Sequence, residues 1–186
     1  MYNMDEKGFL LGVHNWVKVI VRHRRHPPIK KMDGSREWIT VVECTCADNS
    51  MLPSLVIYKG KRLYRGWFTE VDVQNAKFAH SDKGYMTDNL VIEWLQAFDK
   101  ATKGRAWGQT WFLPMDGHRA HYSLKMVQYA AENNIIMMSY PGRSTHLLQP
   151  FDVCLFALLQ RAYSKAVAEH LKKTHMVSAA LNLYVG

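Results

Sequence analysis

Three aspartates in this chain stand where a carboxylate is hard to accommodate. Asp116 closes the apolar run Trp111-Phe112-Leu113-Pro114-Met115, and Asp152 interrupts Phe151 and the wholly apolar run Val153 to Leu159. Asp5, shortly before Gly8, reads as the end of a strand. A buried carboxylate must be paired, hydrogen-bonded or metal-bound, because an isolated buried charge costs several kcal/mol or neutralises. A helix N-terminus returns only about 0.3–1 kcal/mol, too little to account for Asp152 by itself. Aspartates brought from separate elements to one sheet edge supply the hard oxygen ligands that Mg²⁺ or Mn²⁺ prefers. Plainer roles stay open for each: Asp116-Gly117 as a turn, Asp152 as a helix cap or dipole partner, Asp5 as a salt-bridge member.

Other groups are weaker. His118 and His121 form His-x-x-His, but no third ligand follows at the spacing a zinc site uses. Ser144, His146 and Asp152 suggest a hydrolase triad, yet the Gly-x-Ser-x-Gly elbow is missing and all three crowd one loop. Cys44, Cys46 and Cys154 are odd in number, and Cys-x-Cys is too tight for zinc, so reduced and mostly buried thiols are expected.

The elements that must position the acids are readable from periodicity. Trp16 to Val21 is β-rich and runs into Arg22-His23-Arg24-Arg25-His26-Pro27-Pro28, which two prolines make a loop. Trp38 to Cys46 predicts a strand, Asp48-Asn49 a turn and Leu52 to Tyr58 a returning strand, with Asp33-Gly34 another turn. Val91, Trp94, Leu95, Phe98 and Ala101 recur at helical spacing behind a Thr87 or Asp88 cap. Trp111 to Met115 reads as a strand in which Pro114 is out of place, since proline belongs at edges or bulges. Ser123 caps a helix with Leu124, Val127 and Ala131 on its buried face; Ile135 to Met138 follows as a buried strand. Pro150 opens a long helix to about Lys173. The first residues, Met1 to Asp5, read as the end of a strand. Strands, helix, strand, helix, strand, helix predict an α/β domain with helices packed on a mixed sheet.

The chain has 186 residues, enough for one domain, and a formal net charge of +8. That charge suits a polyanion, with Arg22 to His26, Lys30, Lys31, and Lys59, Lys61, Arg62 and Arg65 as candidate phosphate contacts. The tryptophans are expected mostly in the core, with Trp67, beside Gly66 and basic residues, the one to consider for base stacking. No apolar run approaches the ~20 residues of a membrane span. Met1 to Phe9 lacks the apolar stretch of a signal peptide, so an intracellular protein is expected.

Several segments together resemble a known family. Asn3-Met4-Asp5-Glu6-Lys7-Gly8-Phe9 is similar to the segment bearing the first acid of DDE superfamily endonucleases, in the pogo/Tigger and centromere-protein-B-like branch of the mariner transposases. Arg36 to Cys44 and Leu52 to Gly60 resemble that family's next two strands. Asp116-Gly117-His118 with His121 matches the second acid's segment, and Ser144 to Val153, containing Gln149-Pro150-Phe151-Asp152, matches the third.

The resemblance implies a ribonuclease-H-like mixed sheet flanked by helices, with residues 1–175 as a catalytic core shortened at its N-terminus and residues 176–186 an unplaced tail. It implies a metal-dependent DNA endonuclease and transposase domain in the nucleus. Asp5, Asp116 and Asp152 would be its catalytic acids and metal ligands, holding two Mg²⁺ or Mn²⁺ ions, with His118 and His121 in support. Cleavage would leave a 3′-hydroxyl that then attacks target DNA. DNA is the expected partner, membranes are not, and pairing as a homodimer is left open. Against this stands an inactive nucleic-acid-binding remnant of a transposase, because the chain starts almost at the first acid, without a helix-turn-helix region.

Overall fold

Tyr2 to Leu10 presents two chemically different sides when extended, and the fold uses both. Successive side chains of a strand point to opposite faces, so Tyr2 and Met4 enter the apolar core while Asn3, Asp5, Lys7 and Phe9 face the other way. The computed structural model describes residues 1–11, 37–70, 76–116 and 123–184, with side chains as far as residue 170. The expected strand at Trp16 to Val21, the basic stretch 22–31, Asp33-Gly34, and His118 with His121 lie outside the described residues.

Four strands form one sheet in the order β1 (Tyr2–Leu10), β2 (Trp38–Cys46), β3 (Ser54–Lys59), β4 (Ala76–Ser81). The first two pairings are antiparallel and the third is parallel. A second, parallel pair joins β5 (Trp111–Met115) to β6 (Ile135–Ser139), and β5 lies beside β1. Contacts advance in the same sense along those two strands, from Tyr2 against Trp111 to Asn3 against Pro114.

Helices cover both faces. α1 (Asp88–Ala106) is capped by the Thr87 hydroxyl, which accepts the Leu90 N–H, and it buries Val91, Trp94, Leu95 and Phe98. Phe98 meets Tyr2 edge-on with ring centroids 5.0 Å apart. α2 (Leu124–Glu132), capped by Ser123, packs near β6 and α1. A short α3 (Thr145–Leu148) and a π-helical turn (Phe151–Leu155) lead into α4 (Phe156–Tyr184), whose first turns cover the opposite sheet face. There Phe9 meets Tyr163, the Tyr163 hydroxyl donates to the Leu10 carbonyl at 2.9 Å, and the Lys7 ammonium lies 5.7 Å from the Phe156 ring centre. This is a ribonuclease-H-like α/β fold: a mixed sheet flanked by helices.

Several expectations are corrected. Asp5 lies inside β1 and not at its end, because all nine residues of β1 pair with β2. Strand β4 was not anticipated. The face of α2 is turned: Met126 and Ala130 are buried, while Leu124, Val127 and Ala131 are exposed. Both stripes of this nine-residue helix are apolar, and Met126 and Ala130 join the core cluster, with the Tyr129 hydroxyl donating to Asp99 of α1 at 3.3 Å. Only Ile135 is fully buried in β6, where Ile136 and Met138 are exposed. Cys154 is exposed, and so are Trp38, Trp67 and Trp107, whereas Trp94 alone of the described tryptophans is fully buried.

Candidate metal centre

Pro114 and Asn3 decide how the first two acids meet. A strand residue directs its N–H and C=O to the same side, and the Pro114 carbonyl accepts the Asn3 side-chain amide at 3.2 Å. The missing proline N–H therefore falls at the β1–β5 seam, and the β5–β6 ladder keeps its full register. Asn3 also donates to the Tyr140 hydroxyl, 3.1 Å away, just past the end of β6. A side-chain amide thus bridges the seam that proline cannot pair, two residues from Asp5 and two from Asp116.

Asp5 is 6% exposed. Burial pushes its carboxyl up to about 7; the Glu6 backbone N–H, donated to Oδ1 at 2.8 Å, and the Gln149 amide work against that, while the charges of Asp152 and then Asp116 add to it. The charges of the other two expected acids thus both act on the Asp5 carboxyl. Asp116 follows β5 directly and is half-buried. Asp152, in the π-helical turn, is exposed. The argument from expensive burial therefore holds for Asp5 and fails for Asp152: the wider turn changes the phase of the side chains, and Val153 to Leu155 are exposed with it.

Two residues near Asp5 were not singled out in the sequence. Gln149 is wholly buried, and its amide influences the Asp5 carboxyl without meeting hydrogen-bond geometry. Both of its polar side-chain atoms lack a hydrogen-bond partner among the described residues. Glu43 lies directly across the ladder from Asp5. Ser54 donates to both of its carboxylate oxygens at 2.8 and 2.9 Å, and burial raises its carboxyl. Only the register reveals Glu43, whereas a glutamine three residues before an acid at a helix start was visible in the sequence.

Among the described residues, no three His, Cys, Asp or Glu side chains are close enough to form a ready-made metal cage. The donor chemistry nevertheless fits a divalent cation. The charges of Asp152 and Asp116 raise the proton affinity of the buried Asp5, which a bound positive charge would relieve. Their oxygens are the ligands that Mg²⁺ and Mn²⁺ take. Ser144 and His146 sit on or beside α3 and make no hydrogen bond to Asp152 among those the structure records.

Residues 35–179 match the family described as DDE superfamily endonuclease. The chain is 35% identical over 168 residues to the MFS-type transporter clz9 of Cochliobolus lunatus, covering 90% of this chain and 18% of that protein. It is 29% identical over 160 residues to the Pogo transposable element with KRAB domain of Mus musculus, covering 84% and 25%. It is also 26% identical over 134 residues to the Pogo transposable element with ZNF domain of Homo sapiens, covering 71% and 9%. The chain thus spans a quarter or less of the length of these curated relatives. No described helix is long and apolar enough to cross a membrane. No solved structure matches at a significant level.

Proposed function

Because the chain belongs to the DDE superfamily endonucleases, we propose that it is a transposase-type nuclease domain acting on DNA in the nucleus, with Asp5, Asp116 and Asp152 as its catalytic acids. The observation that supports this reading is the buried Asp5, whose carboxyl is raised by burial and by the charges of Asp152 and Asp116. These acids come from a strand, a strand end and a helical turn, and the strands of the first two are bridged by Asn3. Two Mg²⁺ or Mn²⁺ ions bound there would supply charge stabilisation to the attacking and leaving oxygens at a phosphodiester.

The chain's own residues do the rest. Asp5, raised to about 7, must release its proton before it can ligate a cation, and the buried Gln149 amide favours the ionised form. Asp152 is exposed on its turn and Asp116 half-buried, so both can meet an incoming phosphate from the solvent side. Lys7, on the same sheet face, and the exposed Lys59, Lys61, Arg62 and Arg65 offer positive charge to the backbone.

Supercoiled plasmid incubated with the protein and Mn²⁺ or Mg²⁺, but not Ca²⁺, is expected to become nicked, with ends that a polymerase extends from a 3′-hydroxyl. Nicking that needs no metal, or ends blocked by a 3′-phosphate, would contradict the proposal. That no three His, Cys, Asp or Glu side chains among the described residues stand close enough to hold a metal favours a second reading, a nucleic-acid-binding remnant without catalysis, for which DNA binding without nicking is the signature.

A further inference from the structure

The sheet face that carries Asp5 also carries an aromatic cluster with no part in the metal centre. Register transmits the face from strand to strand: Phe9 pairs with Ile39 and Ile39 with Tyr58, while Val41 pairs with Val56 and Val56 with Phe78. Tyr58 and Phe78 therefore lie on the Asp5 side. Two strand spacings of about 4.8 Å and four residues of about 3.4 Å separate Tyr58 from Asp5, on the order of 17 Å. β1 and β3 are each antiparallel to β2, so the segment after β3 leaves the sheet at the end toward which β1 runs.

That segment builds a ring surface. Phe68 stacks on Phe78 at 4.1 Å; Trp67 lies 5.8 Å from Tyr58 and 5.0 Å from Tyr64. The inner rings are partly covered, but Trp67 is 53% and Tyr64 48% exposed. The base of the loop is fixed: Gly60 N–H donates to the Ser81 carbonyl at 2.9 Å, and the Gly60 carbonyl lies 3.2 Å from His80 Nδ1. The Arg62 guanidinium sits 5.0 Å from the Tyr64 ring centre, and its Nε donates to the Tyr64 hydroxyl at 3.0 Å. Residues 59–69 contain Lys59, Lys61, Arg62 and Arg65 and no acid.

We propose that Tyr64 and Trp67, framed by Arg62 and Arg65, form a stacking platform for unpaired bases of a DNA strand that continues to the Asp5 centre. The charge selects a polyanion, which an acid-free loop would not need for an ordinary protein partner. Held aromatic faces select bases out of the duplex, since the ring faces of paired bases are covered by their stacked neighbours. The strand's identity as the one being cut rests on the function proposed above.

The test is fluorescence anisotropy of a labelled 15-nucleotide single strand and its duplex, with the full chain in Ca²⁺ to prevent cleavage. Leucine at both positions, Tyr64→Leu with Trp67→Leu, keeps apolar packing and removes the π faces. Single-strand affinity is expected to fall about 10-fold or more, while duplex affinity changes less than about 2-fold. Arg62→Ala with Arg65→Ala should instead weaken both substrates and reduce the salt slope by about one to two. Equal losses on strand and duplex in the leucine variant, or no loss on the strand, would overturn the platform. Plasmid nicking is scored separately: stacking loss without any wild-type nicking keeps the platform and removes the nuclease, whereas nicking with unchanged strand binding does the reverse.

Discussion

The Asn3 amide reaches the Pro114 carbonyl across 3.2 Å and so joins the strand of the first acid to the strand that ends at the second. Everything proposed for the metal centre depends on that seam staying closed. Asn3 is buried, and it is the side-chain donor recorded on that carbonyl.

Asn3→Ala should therefore cost about 1–3 kcal/mol, because it leaves a buried acceptor unpaired in addition to removing a bond. Urea unfolding checks it through the midpoint at constant slope. A change below about 0.5 kcal/mol would mean that β1 and β5 are held by ring packing alone.

Asp5 makes the stability of the metal-free protein depend on pH. Its carboxyl is raised from an ordinary 3.8 to about 7, so between those values the native state keeps a proton that the unfolded state has lost. The contribution is fully present below pH about 4 and is lost as pH rises through about 7, amounting to about 2–4 kcal/mol. Asp5→Asn should flatten that window and raise the melting temperature at pH 8. An unchanged melting profile in the variant would contradict the assignment of burial as the dominant cause.

Gly84 is required by its backbone. Its φ is +78°, and a Cβ would lie 2.8 Å from the Trp38 carbonyl oxygen, which the β2 backbone fixes in place. The Gly84 carbonyl also accepts the buried Thr40 hydroxyl at 2.7 Å. Gly84→Ala is expected to destabilise by about 2 kcal/mol or more in thermal or urea melts, and a neutral outcome would mean that this turn can refold freely.

Gln149 separates stability from function. Burying an amide without partners is unfavourable, so Gln149→Met should leave the fold as stable or slightly more so. The same change removes the one buried amide that favours the ionised Asp5, and metal-dependent nicking should drop about 10–100-fold. A destabilised variant with full nicking would show that the amide serves packing only.

The sequence carried the architecture further than the details of burial. β2, α1 and β5 were legible because each has a strong local signal: the density of Ile, Val and Thr through Trp38–Cys46, helical spacing from Val91 to Phe98, a short apolar run closed by Asp116. β4 was not, since Ala-Lys-Phe-Ala-His-Ser is short and weakly apolar, and its identity as a strand comes from parallel pairing with β3. The α2 face failed because Leu124, Val127 and Ala131 form as good a stripe as Met126 and Ala130, and only the neighbours discriminate. At the candidate centre the burial expected of Asp152 is not found. A π-helical turn, invisible to a 3.6-residue period, turns it outward. Pro114 looked like a defect until the seam it faces could be seen.

The most direct measurement is Mn²⁺-dependent nicking of supercoiled plasmid by the wild-type chain and by Asp5→Ala, Asp116→Ala and Asp152→Ala, each first shown to melt cooperatively. Loss of at least about 100-fold in all three, with folding retained, is the expected result. Retained nicking in a folded Asp152→Ala protein would contradict the three-acid centre.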